Sequence, residues 1–176
     1  MNSQTKFQKI RRKDREISIN EAWEMITSGM NSYGFLGTHG YSKENKFPYV
    51  VPMNFFFDQK RKCLYLHSTN NPTSKRYRIL KENNKVTFVV VGKESILDPD
   101  SSGKPCNFSM NYRSIMVFGL ISEINGIREK TSIMNRFVKG ISEGIKVHKI
   151  QSSNIGEISV WKLVIKHISG KKRLQP

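Results

Sequence analysis

The chain has 176 residues, the length of one ordinary domain rather than two. It carries 30 Lys and Arg against 14 Asp and Glu, a formal charge of +16, and its 37% hydrophobic fraction includes ten Phe, six Tyr and two Trp. Those large side chains can build a core, which excludes a disordered or collagen-like chain. No run of 18 apolar residues exists, which excludes a membrane-spanning helix.

The segment Met1–Glu16 is basic and too polar to pack alone, and it holds no apolar stretch of the kind a secretory signal needs. Cys63 and Cys106 are far apart and outside any Cys-x-x-Cys pattern, so reduced thiols of a cytoplasmic protein are expected. Ser18-Ile19-Asn20-Glu21 has the spacing of a capping box. With Ala22, Met25 and Ile26 at helical spacing and Gly29 as a terminator, it predicts a helix from Ile19 to about Ser28. From Tyr33 the period changes. Tyr33–His39, Pro48–Phe57 and Cys63–His67 read as strands, the last two joined by the polar turn Asp58–Lys62. Pro52 cannot donate a ladder hydrogen bond, so its strand must be at an edge, bulged or open to a ligand there.

Lys75–Glu82 predicts a short helix and Lys85–Gly92 a β-branched strand. Lys93–Tyr112, rich in Pro, Gly, Ser and Asn, reads as a long loop. Ser114–Ile124 is apolar on both alternating faces through its first half, and a strand buried on both sides needs a cover, such as a partner subunit. Glu129–Ile141 predicts a helix through Ile133, Met134, Phe137, Val138 and Ile141, and Ser159–Ile168 alternates as a final strand. Six strands joined largely by short polar turns, without a crossover helix after most of them, point to a mainly β fold with flanking helices, closed as a six-stranded antiparallel barrel.

No dinucleotide, P-loop or serine-hydrolase motif is present. The four histidines, His39, His67, His148 and His167, are scattered without zinc spacing, so no protein-built metal site is expected. The charge of +16 suggests nucleic acid at first sight, but the signatures of helix-turn-helix, RRM and KH modules are missing and the basic residues are spread along the chain, so no specific nucleic-acid function is expected. The densest polar cluster runs from His67 to Arg76. Its hydroxyls, its Lys and Arg and the start of a helix can together hold a phosphate. The same residue types also make an ordinary solvated turn. Beside it, Val50–Asn54 can lie against a flat aromatic ring or pack in the core. His67 shares a strand face with Cys63 and Tyr65, where a histidine serves structure or chemistry.

These segments, in this order, resemble the pyridoxamine 5'-phosphate oxidase-like FMN-binding split barrels, and within them the nitroimidazole-resistance (Nim) group. The resemblance rests on Arg11–Ile17, Tyr33–Leu36, Pro48–Phe55, Leu64–Ser68, Lys75–Val86, Tyr112–Gly119 and Ile168–Lys171. It implies a homodimer with FMN at the subunit interface. It further implies that Val51, Pro52 and Met53 line the flavin ring and that Asn54 meets its polar edge. Ser74, Lys75 and Arg76 correspond to the phosphate loop, with His67, Ser68 and Thr69 nearby. Arg113 and Ser114 correspond to an interface pair that reaches the cofactor. His67 is the implied catalytic, substrate-side residue.

The loop departs from the Nim pattern in that Pro72 and two extra residues intervene before Lys75. The expected organisation is a basic arm at 1–16, the split-barrel domain at 17–171 and a basic tail at 172–176. The expected activity is FMN-dependent reduction of a small acceptor such as a nitroaromatic, with NAD(P)H or a low-potential carrier as donor. The alternative is a split-barrel protein that holds FMN or haem without turnover, with His67, His148 or His167 as the haem ligand.

Overall fold

A computed structural model of the chain describes residues 7, 9–28, 33–39, 47–92, 95–97, 104–105, 109–142 and 145–173. The expectations that rest on Gly29 and Cys106 lie outside them. Helix α1 (Ile19–Thr27) begins as its sequence dictates, with Ser18 Oγ accepting the Glu21 N–H at 3.1 Å. The Glu21 carboxylate, however, receives Lys172 Nζ at 3.0 Å, which fastens the helix to the far end of the chain.

The strands are β1 (Tyr33–Thr38), β2 (Tyr49–Asp58), β3 (Cys63–Thr69), β4 (Lys85–Val91), β5 (Ser95–Leu97), β6 (Ser109–Ile124) and β7 (Ile158–Arg173). Helices α2 (Lys75–Glu82) and α3 (Ile127–Ile141) lie between them, with 3-10 turns at Lys13–Arg15 and Ser152–Glu157. Hydrogen-bonded neighbours run β1–β2–β3–β7–β6–β4 and return to β1, antiparallel throughout. This is the expected closed six-stranded barrel. The seventh strand, β5, pairs only with the first residues of β6.

Two strands extend past their expected limits. The stretch Ser109–Tyr112, expected as loop, is strand because β5 pairs with Ser109–Asn111 and the end of β7 pairs with Tyr112 and the adjoining Arg113. Lys172 and Arg173, expected in a tail, are the last residues of β7 for the same reason. The basic arm also rests on the barrel. The Ile17 N–H donates to the Gly170 carbonyl at 3.2 Å, and the Phe7 ring stacks on His167 with centroids 4.4 Å apart.

Strand alternation divides the apolar residues between two cores. Leu36, Met53, Phe55, Leu64, Leu66, Phe88, Ile115, Val117, Trp161 and Leu163 fill the barrel, where each fully buried leucine adds about 1.5–3 kcal/mol. Cys63 and Tyr65 point outward from β3 and pack under Ile133, Met134 and Phe137 of α3. On the outer face of β1, β2 and β6, Tyr33, Phe35, Val50 and Met116 are 38% to 63% exposed, so the cover expected over β6 does not come from this chain's described residues. Among the described residues, no helix is long and apolar enough to cross a membrane.

Candidate functional site

The barrel opens where β2 and β3 part. These strands pair only from Phe55–Leu66 to Asp58–Cys63. Beyond that, Tyr49–Asn54 of β2 stays with β1, while His67–Thr69 of β3 stays with β7. Pro52 lies in the separated part, on the β2 edge that β3 has left, in keeping with its missing N–H. Helix α2 stands at this opening. Its N-cap Ser74 accepts the Tyr77 N–H at 3.3 Å, and its first turn holds Lys75 and Arg76 with no acidic residue. Lys75 Nζ sits 5.6 Å from the centre of the Tyr49 ring, which places the helix start against the beginning of β2. The lengthened loop before it is ordered locally, with Asn71 Oδ1 accepting from the Thr73 N–H at 3.0 Å and its hydroxyl at 2.7 Å.

His67 points outward from β3, on the face of Cys63 and Tyr65 as expected, edge-on to Phe137 at 4.9 Å. Burial first, and then the charge of Arg76, hold its pKa below the ordinary histidine value, favouring the neutral ring. Two buried polar atoms here have no hydrogen-bond partner, His67 Nδ1 and Arg76 Nε. Among the described residues neither Lys75 nor Arg76 meets a carboxylate. Two cations without a counter-charge, at a helix start beside two unsatisfied nitrogens, form a site suited to an anion.

Some expected site residues are used otherwise. Met53 is buried in the barrel core and Val51 packs against it, because they alternate with the exposed Pro52 and Asn54; only the latter two present side chains to the outer face. Ser68 also turns inward, where its Oγ accepts the Trp161 Nε1–H at 3.1 Å. Ser74 caps the helix, and Thr69 is exposed at the end of β3.

Arg113 and Ser114 lie far along β6 from the part beside His67: register places His67 beside Val160 and Val160 beside Ile124, and Arg113 is eleven residues back along the strand. Of the other histidines, His148 is exposed and His167 is held between Phe7 and Phe118.

Sequence reasoning missed Glu123, which lies in the mouth of the barrel beneath α2 with its side chain 7% exposed. It receives Lys81 Nζ at 2.8 Å, Tyr77 OH at 3.1 Å and Ser159 Oγ at 2.8 Å. Burial raises its pKa, and the hydrogen bonds from Lys81, Ser159 and Tyr77 outweigh that, leaving it below the ordinary glutamate value. The available signal was the single carboxylate in the apolar run Ser114–Ile124.

Three solved structures share this architecture. A protein described as a candidate 5-nitroimidazole antibiotic resistance protein from Bacteroides thetaiotaomicron matches 89% of this chain and 85% of its own, at 23% identity and a TM-score of 0.70. The flavocytochrome Anf3 from Azotobacter vinelandii matches 96% and 73%, at 19% identity and a TM-score of 0.76. An FAD- and haem-binding protein from Mycobacterium smegmatis matches 92% and 74%, at 16% identity and a TM-score of 0.71. At these identities the likeness is one of fold. No curated protein matches the sequence. The family model described as pyridoxamine 5'-phosphate oxidase, in contrast, matches residues 19–172, from the first residue of α1 to the penultimate residue of β7. With the barrel, the split and the whole run of elements inside that match, the chain belongs to the pyridoxamine 5'-phosphate oxidase family.

Proposed function

We propose that this protein is a homodimeric, FMN-dependent reductase of a small acceptor such as a nitroaromatic. The observation that carries the reading is the unsatisfied cationic pocket at the β2–β3 opening: Lys75 and Arg76 without carboxylates among the described residues, and Arg76 Nε and His67 Nδ1 buried without partners there. A flavin phosphate fits that donor set, with Lys75 as a point charge and Arg76 as a fork of donors. Pro52 and Asn54 are the side chains of β2 that would face the flavin ring.

FMN held there would supply two-electron redox chemistry between a donor such as NAD(P)H or a low-potential carrier and the acceptor. The protein binds and orients both. The neutral His67 is the residue we assign to the acceptor side.

A second copy of the chain supports the reading on two counts. It would cover the exposed apolar face around Tyr33, Phe35, Val50 and Met116, a patch of the kind that marks an interface. It would also bring its own Arg113 and Ser114 to the site, as the family resemblance implies. The nitroaromatic acceptor is supported by the resemblance to the Nim group and by the fold shared with the Bacteroides protein.

The test is direct. Protein incubated with FMN and dialysed should keep about one flavin per chain, visible in its absorbance, and should then pass electrons from NAD(P)H to a 5-nitroimidazole. Protein that retains no flavin, with Lys75→Ala and Arg76→Ala leaving FMN affinity unchanged, would contradict the proposal. A second reading keeps the fold and replaces turnover by haem binding, since His67 Nδ1 lacks a partner and two of the solved relatives are a flavocytochrome and an FAD- and haem-binding protein. A Soret band on haem titration that His67→Ala abolishes would favour it.

A further inference from the structure

Helix α2 presents the proposed phosphate-binding cations, yet it has only two turns, too few for stability on its own. Ile79 and Leu80 bury one side of it. The remainder of its attachment is polar and converges on one carboxylate. Tyr77 and Lys81 lie four residues apart, on one face of the helix, and both reach Glu123 Oε2, at 3.1 Å and 2.8 Å. The other carboxylate oxygen accepts from Ser159 Oγ at 2.8 Å, and that same hydroxyl stands 3.2 Å from Asn70 Oδ1. Asn70 opens the loop into α2 and is itself fastened to the turn before β7, through its N–H to the Glu157 carbonyl at 2.7 Å and its Nδ2 to the Gly156 carbonyl at 2.9 Å. Glu123 thus ties the Tyr77–Lys81 part of α2 to β6, Asn70 is held separately by the Gly156 and Glu157 carbonyls, and Ser74, Lys75 and Arg76 lie between those two attachments.

We propose that Glu123 is the positioning residue of the anion site: by holding Tyr77 and Lys81 on one oxygen, while Ser159 of β7 steadies the other, it fixes the angle at which α2 presents Lys75 and Arg76 to a ligand phosphate. This inference rests on the flavin-phosphate reading above. Glu123 touches none of the groups assigned to the ligand and acts only through the helix. A carboxylate near an anion site opposes the anion by charge alone. Simple electrostatics therefore expects its neutralisation to strengthen phosphate binding, and the positioning role expects the reverse.

The two expectations are separated by titrating FMN and riboflavin, which share the ring and differ in the phosphate, into wild type and Glu123→Gln. The proposal expects FMN affinity to fall about ten-fold in the variant, the size of one lost charge-assisted hydrogen bond, with riboflavin affinity within two-fold of wild type. Lys81→Met and Tyr77→Phe, which remove one contact each and leave Glu123 in place, should shift FMN in the same direction by less; they carry the test should Glu123→Gln fail to fold. A fall in both flavins by the same factor, or FMN binding unchanged or tighter, would overturn the positioning role while leaving the flavin reading intact. Wild type that distinguishes FMN from riboflavin by nothing would instead sink the phosphate site itself, and this inference with it.

Discussion

Asp58 and Glu123 sit near the two ends of β3, both buried carboxylates, and their surroundings differ in one respect. At the Asp58 end, Arg61 donates from its backbone N–H and its guanidinium, and Arg136 of α3 reaches the same oxygen at 3.0 Å. Burial raises the Asp58 pKa, and these hydrogen bonds bring it down to about 2. Both arginines there meet the carboxylate, which fastens α3 to the β2–β3 hairpin, and the unpartnered atom nearby is the neutral Tyr65 hydroxyl. At the Glu123 end, Lys81 has its carboxylate, but Lys75 and Arg76, one turn up the helix, have none among the described residues. Two buried nitrogens beside them lack partners. A satisfied cluster holds a fold together, whereas an unsatisfied one indicates where something else binds.

The comparison can be broken at either end. The largest effect is expected from the double substitution Lys75→Ala/Arg76→Ala, which should weaken FMN binding about 100-fold, each charged contact being worth on the order of ten-fold, while the urea midpoint stays close to wild type. Asp58→Asn should show the opposite pattern, a loss of about 2 kcal/mol in urea unfolding, as for a buried hydrogen-bonded charge, with FMN affinity within two-fold.

The pH dependence sharpens the same contrast. The folded pKa of Asp58, about 2, lies below the ordinary value of 3.8, so its stabilisation is present above pH 4 and is lost as pH falls towards 2. Wild type should lose stability over that window more steeply than Asp58→Asn. Arg61→Ala should cost least, under about 1 kcal/mol, since the Arg61 side chain is 56% exposed and Arg136 remains on Asp58.

Much of the fold was legible because it follows local periodicity. Ser18 predicted the start of α1, and Ile133, Met134 and Phe137 predicted the buried face of α3. The ends of β6 and β7 were not legible, because Ser109–Arg113 and Lys171–Arg173 have no strand pattern of their own and are strand only through their partners. In β2, alternation shows that Met53 and Pro52 face opposite ways. It does not show which way is inward when apolar residues occupy both faces. At the proposed site, residue type and order singled out Lys75 and Arg76, and the family resemblance singled out His67. The contacts around them, Tyr77 with Glu123 across 46 positions and Ser159 with Asn70 across 89, are encoded by no local pattern. The separation of Arg113 from His67 is likewise a property of strand register.

The central claim is that the opening between β2 and β3 holds a flavin by its phosphate. Equilibrium binding of FMN and of riboflavin to the wild-type protein tests it most directly. The account predicts FMN at one per chain, at least ten-fold tighter than riboflavin, with the preference abolished by Lys75→Ala/Arg76→Ala. Equal affinity for the two flavins, or a preference that survives the loss of both cations, would contradict it.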